Sequence, residues 1–368
     1  MKFYVIGDVT VDHIHFLERI PSAGEDATPL RSALLPGGAG GTLSYYAARL
    51  GHDVTLAARV GADPFRAVAV QNLERAGVRL DALQTDAERM TSTITILVTH
   101  NAERTMISAT GANRHLDPAG LEASRVHSSD ALVISAYALI QDPQRAYTLE
   151  AMRVAKNANV PVFIDLGTGA VNAAGTTLLE AVKGADYLLM NQLELFRLTG
   201  EDSISEALEG LKARGFKTVV IKVGALGAIL WTPTDSELLE GFTVKDVIDT
   251  TGAGDGFTAA FAHAVLSGYA LPQAVRYANV AGALVALSVG AQGSDLSEAD
   301  ILERLGDPPQ PAKQKAEPAK KPKAVKLEPV AEPASSPAPV SLEPALVQAE
   351  PAPVTPEAAP AKRTRKRA

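Results

Sequence analysis

Between Asp246 and Gly268 the chain reads Asp-Val-Ile-Asp-Thr-Thr-Gly-Ala-Gly-Asp-Gly-Phe-Thr-Ala-Ala-Phe-Ala-His-Ala-Val-Leu-Ser-Gly. A short run ending at Ile248 feeds the glycine cluster at 252–256, and from Phe257 to Leu266 there is no helix breaker and little polarity. The expected structure is a loop followed by a buried helix. A helix start leaves about four backbone N–H groups without internal partners and carries partial positive charge, so it suits a phosphate or a developing anion. Gly252 and Gly254 let a ligand come close to those amides. Asp255 stands at this start. A structural carboxylate there caps the helix or complements its dipole; beside a bound phosphoryl group, the same carboxylate accepts a proton from an attacking hydroxyl.

Several other short patterns fall just after apolar runs, where ligands bind in an α/β sheet. Residues 2–9 read as a buried strand, and Asp12 follows in the loop Val9–His13, either as a turn former or as a holder of two polyol hydroxyls. Pro36-Gly-Gly-Ala-Gly-Gly41 precedes a helical stretch at Leu43–Leu50. Thr93–Thr99 and Arg104–Ser108 are β-branched runs around His100-Asn-Ala-Glu, a hairpin signal. Asn191-Gln-Leu-Glu194 has the spacing of a helix capping box. Ile221-Lys-Val-Gly-Ala-Leu-Gly reads as strand, tight turn, strand. Strand and helix patterns alternate through 131–135, 145–156, 161–165, 185–190 and 217–223, which predicts βαβ units and a mostly parallel sheet covered on both faces.

Taken together, these segments resemble the PfkB or ribokinase family of carbohydrate kinases. The match is strongest at DTTGAGDGFTAAFA, 249–262, and extends to the opening G-D-x-x-x-D with Pro21, Gly24 and Glu25. The resemblance implies an α/β/α three-layer sandwich over residues 1–306 with a small β lid, roughly 12–36 and 91–108. It implies ATP-dependent phosphorylation of a sugar or sugar-like alcohol. Asp255 would be the base, and the amides of Gly252, Ala253 and Gly254 an anion hole for the transferred phosphate. Substrate would be held by Asp12, Gly37 and Gly38, with Arg104 and Asn113 as further candidates. The family's GGxxxN has Thr42 in place of its Asn, a shorter side chain with one donor, so substrate identity is not carried over. Asn191, Lys222, Gly224, Gly227 and Asn279 match segments around ATP. Glu194, with Asn191, matches the NxxE that organises Mg2+, partly through water. Asp249 and Thr251, with carbonyls near Gly290–Ser294, match a monovalent-cation site, K+ in some relatives. The family's Asp-x-Asn-x-Arg is here Asp165-Leu-Gly-Thr-Gly, and VGxDxxG ends on Arg66. The alternatives are a nucleoside or pseudonucleoside kinase of the same fold, or a non-catalytic sugar- or nucleotide-sensing protein with a nucleic-acid-binding tail. No G-x-G-x-x-G follows the first strand, which disfavours a Rossmann dehydrogenase.

Composition divides the chain. Of its 23 prolines, 14 lie between Pro308 and Pro360, in a 62-residue tail with 11 Lys/Arg, 7 Asp/Glu and no aromatic residue. Residues 1–306 carry 24 Lys/Arg against 35 Asp/Glu. Residues 307–368 are expected to be disordered, because they cannot bury enough surface to offset ordering entropy. Five basic residues among Lys362–Arg367 form a weak candidate for nucleic acid or another polyanion. Zero cysteines exclude disulfides and thiolate metal sites. No apolar run reaches the ~20 residues of a membrane span, and the start lacks a secretory pattern; a cytoplasmic location and a homodimer paired through the lid are the expectations.

Overall fold

A computed structural model describes residues 1–99 and 104–306; the expected disordered tail and the expected hairpin connection at 100–103 lie outside the described residues. A nine-stranded sheet forms the centre, in the order β13-β12-β11-β10-β9-β8-β1-β4-β5. Its strands are β1 (Lys2–Ile6), β4 (Asp53–Gly61), β5 (Leu83–Asp86), β8 (Ala131–Ser135), β9 (Val162–Asp165), β10 (Tyr187–Asn191), β11 (Thr218–Lys222), β12 (Gly227–Thr232) and β13 (Asp235–Glu240). From β5 to β11 all neighbours are parallel, and β12 and β13 return antiparallel at the edge.

Side-chain alternation along the strands builds two cores. Phe3 and Val5 of β1, Val133 of β8, Leu189 of β10 and Val220 of β11 face one layer. Tyr4, Ile6, Ile134, Met190 and Ile221 face the other. This is the period-2 consequence of a strand buried on both faces. The first layer holds α1 (Ala39–Arg49), α2 (Phe65–Arg75), α9 (Ala253–Leu266), α10 (Leu271–Val285) and α11 (Glu298–Leu305). The second holds α3 (Ala123–His127), α4 (Gln144–Asn157), α5 (Thr168–Ala174), α6 (Leu178–Ala181), α7 (Gln192–Thr199) and α8 (Ile204–Ala213).

A separate four-stranded sheet, β3-β2-β6-β7, comprises β2 (Thr10–Leu17), β3 (Arg31–Gly37), β6 (Ser92–Thr99) and β7 (Arg104–Ala109). These are the segments expected to form the lid. Asp12 is not in a loop: it lies within β2, which leaves the carboxyl end of β1 after only Gly7, Asp8 and Val9. The backbone continues as strand there because β2 pairs with both β3 and β6, and Asp12 meets Leu35 and Ile94 in register. The strand order reverses between β1 and β8, so a crevice is expected at their carboxyl ends.

Candidate active site

A cavity of about 640 Å3 opens at that crevice. Asp8, Tyr137, Asp165, Asn191 and Lys222, all at or just beyond strand ends, line it, together with the start of α9 and the inner face of the lid.

The helix at its floor begins four residues earlier than the apolar run suggested, at Ala253, with Gly252 as its N-cap in the left-handed region (φ 80°). A Cβ on Gly252 would stand 2.4 Å from the Ala291 carbonyl oxygen, so only glycine makes this turn. Among the described residues the N–H groups of Gly252, Gly254 and Asp255 have no hydrogen-bond acceptor, whereas Ala253 N–H donates to the Thr250 carbonyl at 3.2 Å. Ala253 is thereby a correction to the expected trio: its amide closes the turn that starts the helix, and Asp255 N–H is the open amide in its place. The Asp255 carboxylate lines the cavity and, among the described residues, makes no hydrogen bond or ion pair. Burial drives its pKa well above the ordinary carboxylate value, Asp165 adds to the rise, and Lys222 opposes it.

Lys222 Nζ donates to Asp165 Oδ1 at 2.6 Å and would lie 3.3 Å from a Cβ on Gly254, placing an ammonium beside the helix start. Burial pushes Asp165 up to about 6 despite that partner. For Lys222, burial disfavours the charge, but Asp165 and Glu194 outweigh it and the pKa is raised. Asn191 caps α7 in the expected box: its Oδ1 accepts from Glu194 N–H at 2.8 Å and Glu194 Oε2 accepts from Asn191 N–H at 2.9 Å. Glu194 Oε1 accepts from the Thr168 hydroxyl at 2.9 Å.

At the lid end, Asp12 lines the cavity with one oxygen accepting from Thr10 Oγ1 at 2.9 Å. Burial raises it to about 6. Gly37 faces it: a Cβ there would stand 2.5 Å from the carboxylate, so the glycine makes room for Asp12 without lining the cavity. Gly38 and Thr42 line the cavity, and Thr42 Oγ1 is buried without a partner. Asn113 lines it too, but its amide clamps the backbone of Val9, at 3.1 and 3.0 Å, and so fixes the β1–β2 link.

Beyond Gly37 and Ala253, four further expected site residues stand outside the cavity lining. Arg104 does not face the cavity; it reaches from β7 to Asp249 at 2.8 Å and to Thr251 Oγ1 at 3.2 Å. Both Asp249 oxygens are engaged, Oδ1 accepting also from Thr251 N–H and OH and Oδ2 from Gly290 N–H; Thr251 alone of the pair lines the cavity. Gly227 is packed against the backbone of β13 while Gly224 lines the cavity. Asn279 donates to the carbonyls of Leu239 and Glu240, tying α10 to β13 rather than facing the cavity. Sequence reasoning passed over Asp8, Tyr137 and Gln144 as cavity residues. Asp8 belongs to the G-D-x-x-x-D pattern and was legible; the other two carry no local signal.

A fold of this order with an open carboxylate at a helix start defines an α/β enzyme of the phosphoryl-transfer type. The profile of the pfkB family carbohydrate kinase matches residues 2–299, and the chain belongs to that family. It is a carbohydrate kinase, a phosphotransferase with an alcohol group as acceptor. It is 30% identical over 303 residues to the ribokinase of Bacillus subtilis, covering 82% of this chain and 98% of that protein. It is also 30% identical to the ATP-dependent ribose-1-phosphate kinase of Halopiger xanaduensis, over 80% of this chain and 94% of that one. The structure of Arabidopsis thaliana ribokinase complexed with ribose and ATP superposes with a TM-score of 0.71 at 23% identity, over 83% of this chain and 99% of that chain, which shows the fold. Among the described residues no helix is long and apolar enough to cross a membrane.

Proposed function

We propose that the chain transfers the γ-phosphoryl group of ATP to a hydroxyl of a sugar or sugar-like alcohol, with Asp255 as general base. The observation that carries this reading is the Asp255 carboxylate, half-buried and unpartnered among the described residues, beside three uncommitted amides at the start of a 14-residue helix. The substrate hydroxyl gives its proton to Asp255 as its oxygen bonds to phosphorus and the bond to the departing ADP oxygen breaks. Charge on the phosphoryl oxygens is met by the N–H groups of Gly252, Gly254 and Asp255 and by Lys222. A donor set already aimed at that place needs no reorganisation during transfer.

Asp12, Thr42 and the Gly38 backbone hold the sugar in this reading, and Asn191, Lys222 and Gly224 border the nucleotide. Asp8, Asp165, Glu194 and Asp255 line the cavity, but among the described residues no three of them converge closely enough to hold an ion by themselves, so Mg2+ in this reading would be held mainly by ATP phosphates and water, with Glu194 beside it. Both Glu194 oxygens already accept internal hydrogen bonds, so it would hold the ion partly through water. When bound, Mg2+ supplies charge neutralisation on the phosphates. At Asp249 we assign the positive charge to Arg104 in place of a monovalent cation, because the carboxylate has no oxygen left uncommitted. A nucleoside acceptor is the second reading, favoured by the apolar wall of Ile94, Ile96, Met106 and Ile140 in the cavity. Pairing of two lids through the exposed Leu34, Met106 and Ile107 is the dimer reading.

The test is Asp255→Asn. It should melt at the wild-type temperature and bind sugar, yet lose about 10²–10⁴-fold in kcat. A variant that keeps wild-type kcat removes the proposed base. ADP release across a panel of sugars and nucleosides separates the two acceptor readings.

A further inference from the structure

Gln144 is the first residue of α4, reached from β8 through a 3₁₀ turn at Ala136–Leu139. Its side chain is polar, its residue exposure is 2%, and it lines the cavity. Its backbone carbonyl accepts from Thr148 Oγ1 at 2.9 Å, which holds the first turn of the helix in place. The side-chain Nε2, in contrast, is sealed from solvent with no hydrogen-bond partner. Buried amide nitrogens as a rule have a hydrogen-bond partner, and among the described residues no protein group provides one here. From the opposite layer, Thr42 Oγ1 lines the same cavity in the same condition, fully buried and without a partner.

The chemistry of the missing partner is narrow. Exchanging the amide oxygen and nitrogen would leave an unpartnered acceptor where there is now an unpartnered donor, and a hydroxyl is the ligand group that satisfies either. An anionic substituent is disfavoured, since Asp8 and Asp12 line the cavity as carboxylates. Arg114, the guanidinium on its rim, is turned to Gln141 Oε1 at 3.2 Å.

We propose that Gln144 is a specificity residue that reads a second, uncharged hydroxyl of the acceptor, distinct from the hydroxyl that reacts at Asp255. The proposal rests on the kinase reading above. It makes the α4 start, which no local sequence pattern marks, part of the substrate-binding surface. A specificity residue acts on binding, whereas a glutamine with only a structural role would act on the melting temperature of the ligand-free protein.

The experiment uses the full chain and Gln144→Met, which keeps length and removes the amide. D-ribose, 2-deoxy-D-ribose, D-fructose and ribose 1-phosphate are the probes. For the neutral sugar that the wild type binds best, KM should rise about tenfold, with kcat changed much less, the size expected for one hydrogen bond to a neutral group. The ligand-free melting temperature should change little, on the order of 2 °C or less. The sugar-induced rise in melting temperature should shrink in the Asp255→Asn background as well; this arm reads binding without turnover, so it stands or falls separately from the role of Asp255. A lower ligand-free melting temperature with unchanged KM would make Gln144 structural and overturn the proposal. So would tighter binding of ribose 1-phosphate than of the neutral sugars, or the absence of any sugar-induced shift in the wild type.

Discussion

Asp12 and Asp255 are both carboxylates in one cavity, and their surroundings divide their work. Asp12 has a hydroxyl donor from Thr10 and a raised pKa of about 6. In the proposed reading it accepts hydrogen bonds from sugar hydroxyls above that pH, and below it the protonated carboxyl loses acceptor capacity. KM for the sugar should therefore rise as pH falls through 6, and Asp12→Asn should abolish that dependence while raising KM at neutral pH by about tenfold or more. A KM that is flat from pH 5 to 7.5 in the wild type would contradict the assignment. Asp255 must be ionised to accept a proton, so its raised pKa places the acid limb of kcat/KM above the usual carboxylate range near 4. At this scale the sequence was informative wherever a residue's role follows from its neighbours in the chain. Asp255 at a helix start and the Asn191–Glu194 box are of that kind. Gln144, Tyr137 and the Lys222–Asp165 pair are not, because their meaning comes from partners as far as 57 residues away.

Among the elements, the contact of β7 with the turn before α9 joins the small sheet to the helix that carries Asp255. Arg104 makes this link, gripping both Asp249 and Thr251, three residues and one residue before Gly252. The ion pair is partly exposed, with side-chain exposures of 34% and 13%, so its worth to global stability is small, about 1 kcal/mol or less. Its effect should appear in turnover. Arg104→Met should lower kcat several-fold while shifting the melting temperature little, and should acquire activation by K+; the wild type should turn over equally in K+ and Na+ buffers. Strong K+ activation of the wild type would show that Arg104 does not supply the charge. The expectation that Arg104 faces substrate failed for a geometric reason: in a strand, alternation fixes which face a side chain takes, but not which distant loop lies under that face.

For the molecule as a whole, the end of the sandwich opposite the cavity is closed by a buried aromatic and histidine cluster. His52, after α1, stacks on Phe3 with ring centroids 4.1 Å apart, and its Nε2 lies 3.0 Å from His263 Nδ1 of α9. His263 stacks on Tyr277 of α10 and faces Glu298 of α11 at 3.4 Å. Burial holds His52 down to about 3, with His263 and the chain amino terminus adding to the depression and Asp130 opposing it; burial also lowers His263 against the pull of Glu298. A histidine whose folded pKa is depressed stabilises the fold above its unfolded pKa, and that stability is lost as pH falls from about 6.5 toward the folded value. The melting temperature should therefore drop between pH 7 and 5, and His52→Leu should flatten the drop. An unchanged slope in that variant would place the acid sensitivity elsewhere.

The alternating strand and helix patterns, the breaks at glycine and the period-2 burial of β1, β8, β10 and β11 follow from local propensity and hydrophobic pattern, so the layered α/β fold and the helix start at Gly252–Asp255 were set by the order of the residues. What the tertiary structure alone decided is which groups meet: Asp12 on a lid strand rather than in a loop, Arg104 on Asp249, Ala253 N–H on Thr250, and Gln144 facing a cavity with its amide unpaired. The physical reason is that secondary structure is fixed by neighbours a few residues apart, whereas hydrogen bonding, desolvation and charge depend on distances across the crevice between β1 and β8, which close only when the strands from both halves of the chain have assembled into one sheet.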